Sequence, residues 1–77
     1  MTDMVYLADV FVDAYKLAVS KKVVFDPQDA VLEFVDSRSG DVVFVLKNGY
    51  EVRVNLDSKQ VRVYDANGNL SGKTEEG

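Results

Sequence analysis

Near residue 30 the spacing of apolar residues changes from three and four to two. A period near 3.6 belongs to a helix with one buried face, and a period of two belongs to a strand. A chain that makes this change once, and early, is confined to one helix followed by strands that must pair with one another. The expected class is α+β: an N-terminal helix packed on a four-stranded antiparallel meander sheet.

The helical stretch covers residues 4–20, with Thr2 or Asp3 placed to cap its start and Lys21 and Lys22 at the end where the helix dipole favours cations. Asp9, Asp13, Lys16 and Ser20 fall on one narrow polar line at about 100° per residue. Most of the remaining circumference is apolar. Met4, Leu7, Phe11, Ala14 and Ala18 form one seam, and Val5, Ala8, Val12, Tyr15 and Val19 form a second beside it. Tyr6, Val10 and Leu17 add a third flank. A small sheet covers one such stripe, so the second seam needs another cover. The simplest cover is a second copy of the chain, which makes Val5, Ala8, Val12, Tyr15 and Val19 the expected homodimer interface. The alternative is a helix sunk deeply into a curled sheet.

Residues 21–25 read as a short strand or extended connector. Asp26, Pro27, Gln28 and Asp29 have the composition of a helix start that opens one turn. Strands are expected at 30–36, 41–47, 50–56 and 60–65. Asn48 and Gly49 read as the two central residues of a type I′ hairpin turn. That turn sets Lys47 opposite Tyr50, Val45 opposite Val52 and Val43 opposite Val54. The face expected under the helix then carries Ala30, Leu32, Phe34, Val43, Val45, Tyr50, Val52, Val54, Leu56, Val61 and Val63. The outer face carries an apolar patch of Val31, Val35, Val42, Phe44 and Leu46, unless residues 23–25 fold over it. Residues 1–67 are expected to form a single domain and residues 68–77 a flexible C-terminal tail, where Leu70 is the sole apolar residue.

The chain is 77 residues long with a formal net charge of −4, and it contains no Cys, His or Trp. That composition excludes a disulfide scaffold, a Cys/His zinc site, a Cys nucleophile and His-based acid–base chemistry. It argues against a protein that holds nucleic acid through phosphate charge. The start of the chain lacks a basic signal region, and no apolar run is long enough for a membrane span, so a cytoplasmic location is expected. No cofactor and no metal is implied, and enzymatic activity is not expected. Glu33 and Glu51, on neighbouring strands, are the nearest thing to an acid–base pair. Asp65, Asn67 and Asn69 with Glu76 match positions 1, 3, 5 and 12 of an EF-hand calcium loop, but Leu70 stands at position 6 where glycine belongs, and Asp-x-Asn-Gly is an ordinary turn.

Three functional classes remain. The first is a small acidic interaction protein that binds and modulates a partner protein, by inhibition in its simplest form. In its sharpest form it is a DNA mimic, with Asp9, Asp13, Glu33, Asp36, Asp41 and Glu51 presented to a basic nucleic-acid-binding protein in place of phosphates. Size, acidity and lack of catalytic side chains are common among small inhibitors, viral accessory proteins included. The second is a single-stranded nucleic-acid binder that stacks bases on a row of Phe44, Arg53 and Tyr64, with Arg62 beside it. The third is a structural or assembly subunit.

Overall fold

The computed structural model describes residues 2–71, with side chains from residue 9 onward. Helix α1 spans Thr2–Ser20. Five strands follow: β1 Ala30–Val35, β2 Val42–Leu46, β3 Glu51–Asn55, β4 Gln60–Tyr64 and β5 Leu70–Ser71. They form one antiparallel sheet in the order of the chain. The class is α+β as expected, with a short fifth strand added to the meander. Leu70 and Ser71, placed in the tail by sequence, pair with Tyr64 and Val63. Residues 72–77 of that tail lie outside the described residues.

The helix ends in a reversal that its own backbone closes. Lys22 takes φ 70°, its N–H donates to the Val19 carbonyl, and the Val23 N–H donates to the Ala18 carbonyl. This is a Schellman end with lysine where glycine is usual. The chain then runs extended to Asp26, whose carboxylate accepts from the Gln28 N–H and starts a single 3-10 turn at Pro27–Asp29. The one-turn expectation for this segment holds.

The core lies between α1 and one face of the sheet. Ala14 and Ala18 are fully buried, and their small side chains let the helix sit close over Val42, Phe44 and Leu46 of β2, Val52 and Val54 of β3, and Val63 of β4. Phe44 is the centre of an aromatic cluster. Its ring lies 6.2 Å edge-on from Phe11 and 5.2 Å from Phe25, and Phe25 meets Tyr15 edge-on at 5.3 Å. Phe25 therefore closes the helix side of the sheet, and the segment before β1 does not fold over the outer patch.

The β2–β3 register corrects the sequence expectation by one residue. Val42 faces Val54, Phe44 faces Val52 and Val45 faces Glu51. The cause is the turn. Asn48 keeps a negative φ and only Gly49 goes positive, at 91°. The loop is thus three residues, Lys47, Asn48 and Gly49, with the Leu46 N–H donating to the Tyr50 carbonyl and the Gly49 N–H to the Leu46 carbonyl. This is the type I turn with a left-handed glycine, and the Asn48 side chain serves it by accepting from the Tyr50 N–H at 3.0 Å. A slip of one residue turns a strand over. Within β3–β4, and within β1–β2 beyond the bulge, side chains expected to share a face do so, and the first pair is inverted relative to the second; Ala30, before the bulge, stays on the helix side, opposite Leu46. Val42, Phe44 and Leu46 go under the helix, while Val43, Val45, Leu32 and Phe34 go to the outer face.

Gly49 also lies against the turn between β4 and β5. A Cβ there would meet the Ala66 methyl at 2.9 Å. With the left-handed backbone added, Gly49→Ala is expected to cost about 1–2 kcal/mol in urea unfolding. A neutral result would contradict this turn geometry.

Candidate interaction surface

Among the described residues the outer face of the sheet has no helix over it. Its side chains form two rows fixed by the register. One row runs Leu32, Val45, Glu51, Tyr64, Leu70, and the next runs Phe34, Val43, Arg53, Arg62. The β1–β2 half is apolar and the β3–β4 half is polar. The apolar patch expected on the outer face takes other members: Leu32 is exposed there and Phe34 and Val45 are half-buried, Val43 between them is fully buried, and Val35, Val42, Phe44 and Leu46 lie on the helix side.

The polar half is organised by two arginines. Arg53 and Arg62 stand directly opposite each other on β3 and β4. Like charges in that position repel, so the pair requires counter-charges. Arg53 Nη1 donates to Asp36 Oδ2 at 3.0 Å and to Asp41 Oδ2 at 3.3 Å, and its Nε donates to Glu51. Arg62 Nη2 donates to Asp41 Oδ2 at 2.7 Å. Asn55 Nδ2 donates to Asp41 Oδ1 at 3.2 Å. Asp41 is 1% exposed, a buried charge with three side-chain donors. Burial alone would raise its pKa; hydrogen bonds from Asn55 and Ser39 and the charges of Arg62 and Arg53 outweigh that and hold it below the ordinary value. Asp36 is lowered by the Arg38 N–H and by Arg53. Burial pulls the Arg53 guanidinium down, but its carboxylate partners, Glu51 first, raise it on balance.

These contacts place the six carboxylates expected to face a partner. Asp36, Asp41 and Glu51 converge on Arg53. Asp9 and Asp13 are exposed on α1 and Glu33 is exposed on β1. The six do not form one array. Glu33 pairs across from Phe44, on the helix side, whereas Glu51 is on the outer face, so the two acids are separated by the sheet. The stacking row also fails to form. Phe44 is in the core, Arg53 is flanked by Val43 and Arg62, and Tyr64 belongs to the next row. Asp65 Oδ1 accepts from the Asn67 and Asn69 N–H groups, which makes the calcium-like stretch the turn between β4 and β5; Glu76 lies outside the described residues. Among the described residues no group of three or more acids has metal-site geometry, and no helix is long and apolar enough to cross a membrane.

Apolar surface remains in two places. Edge strand β1 pairs only with β2, a bulge at Val31 interrupts that ladder, and Val31, Leu32 and Val35 are 66%, 53% and 40% exposed. On the helix, Val12 and Val19 of the second seam are exposed, at 51% and 38%, while Tyr15 is half-buried against Phe25. The side chains of Val5 and Ala8 lie outside the described residues. The arginine network was missed at the sequence level: the expected row set Arg53 beside Tyr64, with Arg62 a neighbour, whereas the structure sets Arg53 opposite Arg62 and so calls for nearby acids.

Comparison with protein-family models, with curated proteins and with solved structures finds no match to this chain.

Proposed function

We propose that the chain is a non-enzymatic interaction protein that self-associates as a homodimer and binds and modulates a partner protein. One observation carries the reading: Val31, Leu32 and Val35 stand exposed on an edge strand whose outer backbone groups have no partner strand among the described residues. Soluble proteins usually blunt such an edge with charge, proline or a covering element, because it pairs readily with another chain. Here the bulge and Glu33 are the only such devices on β1. Val12 and Val19 supply a second apolar contact on the helix.

In the DNA-mimic form of this function the partner is a basic nucleic-acid-binding protein, met by Asp9, Asp13 and Glu33. The carboxylates at Asp36, Asp41 and Glu51 contribute less, since Arg53 already neutralises much of their field.

Capture from cells with a photo-crosslinking residue at Leu32 separates the two forms. Binding through the β1 edge is expected to yield a discrete protein adduct that survives raised salt and disappears in Val31→Lys/Val35→Lys. An adduct lost with salt and in Asp9→Asn/Asp13→Asn, yet retained in the valine variant, would establish the charged contact in its place. Absence of any discrete adduct would contradict both.

A further inference from the structure

Helix α1 carries a surface that matches itself. Val12 and Val19 are 51% and 38% exposed and stand seven residues apart. Seven residues make two helical turns less about 20°, so the two side chains share one line along the helix. Asp9 and Lys16 are also exposed and also seven apart, and they form the line beside it. Each stands three residues before one of the valines, on the same side of the seam. The other flank of the seam belongs to the core, where Phe11 packs edge-on against Phe44 and Ala18 is fully buried. The exposed border of the seam thus carries one acid and one base.

Valine in these positions is a poor choice for a single chain. Its branched side chain disfavours a helix relative to alanine or leucine, and at this exposure little burial offsets the loss. Contact with another molecule supplies that burial. The charges decide how a second copy would lie. Parallel helices set Asp9 near the partner's Asp9 and Lys16 near the partner's Lys16, which repel. An antiparallel pair with its two-fold axis opposite residues 12 and 13 does the reverse. Residues 9 and 16 are equally far from that point, so Asp9 meets the partner's Lys16 and Lys16 meets the partner's Asp9. The opposed helix dipoles favour the same orientation. The two ion pairs stand about 10 Å apart along the helix, with Val12 and the partner's Val12 between them. Asp13, about 100° further round than Val12, is exposed and points away from the contact.

We propose that α1 packs antiparallel on α1 of a second copy, with Val12 and Val19 at the seam and two reciprocal Asp9–Lys16 ion pairs beside it. This rests on the homodimer reading above. It assigns the self-contact to α1 and leaves the β1 edge to the other protein.

Charge reversal tests the pairing. Asp9→Lys and Lys16→Asp each turn both ion pairs into repulsions. In sedimentation equilibrium at low ionic strength, each variant alone is expected to dimerise about tenfold more weakly than the wild type, because the two-fold axis counts every change twice. Both side chains are exposed, so circular dichroism should not change. An equimolar mixture of the two variants should recover wild-type association as a mixed dimer, and the doubly reversed chain Asp9→Lys/Lys16→Asp should recover it alone. A wild-type dimer that either reversal leaves unweakened, or that the mixture does not restore, would overturn the α1 pairing and leave self-association to another surface such as β1. A wild-type chain that stays single would overturn the pairing and the homodimer reading together, and would leave the seam to a different protein.

Discussion

Phe44→Ala is expected to remove most of the protein's stability at room temperature, while Val45→Ala, one residue along the same strand, leaves it firmly folded. Phe44 is 2% exposed and touches the rings of Phe11 and Phe25 from the centre of the helix-facing layer. Removing a buried phenylalanine costs about 3–5 kcal/mol, because the cavity left behind collapses only in part. A chain of this length holds roughly 5 kcal/mol in total. Val45 is half-buried on the outer face, and its truncation should cost about 1 kcal/mol. Urea unfolding of the two variants reads the difference directly. Similar losses in both, or a larger loss at Val45, would mean that β2 presents its other face to the helix.

Arg53→Met is the second large effect. Methionine keeps much of the apolar stem and removes the charge that Asp36, Asp41 and Glu51 share. Asp41 then remains buried with Arg62, Asn55 and Ser39 but without its second guanidinium, and the variant is expected to lose about 3 kcal/mol. The pH dependence follows from the direction of the carboxyl shifts. Both Asp36 and Asp41 titrate below 3.8 in the folded chain, so the folded state binds fewer protons than the unfolded one in that range. Their stabilisation is complete above about pH 5 and is lost as pH falls through the folded values. The wild-type urea midpoint should therefore drop steeply on acidification below pH 4. In Arg53→Met the acid limb should be flatter, since the removed charge was one source of the lowered values. An unchanged acid slope would contradict a part for Arg53 in these shifts, beside the Arg38 N–H at Asp36 and Asn55, Ser39 and Arg62 at Asp41.

Both effects depend on a register that was only half legible in the sequence. Periodicity sufficed for the helix, for all four main strands and for most of the side chains that share a face within β1–β2 and within β3–β4, though the expected row joined Arg53 to Tyr64 where Arg62 stands. It did not suffice for the join. Asn48-Gly49 suits a two-residue turn with both residues left-handed, and it equally suits a three-residue loop in which only the glycine is. The alternation of β2 offers no arbitration, because Val42, Val43, Phe44, Val45 and Leu46 are apolar on both faces. A strand with polar residues on one side would have fixed its own orientation; this one leaves the choice to the volume of Phe44 against Phe11 and Phe25. Asp41 illustrates the same limit for the polar groups. In the sequence it is a loop acid beside Gly40. Only the inverted pair of strands brings it under both Arg53 and Arg62.

The surplus of apolar surface was legible in kind and not in detail. The second helix seam and the outer sheet patch each suggested a partner surface. Val12 and Val19 remain exposed, and the outer patch persists with different members. Strand β1 adds an edge that sequence spacing did not single out, because the bulge that lifts Val31 leaves no mark in the alternation.

Sedimentation equilibrium of the full chain, from low to high micromolar concentration, bears most directly on whether this surplus is covered by a second copy. A discrete dimer is expected, and dissociation by Val12→Asp or Val31→Lys with circular dichroism unchanged would locate the contact on α1 or β1. A mass that stays at that of one chain across the whole range would contradict self-association.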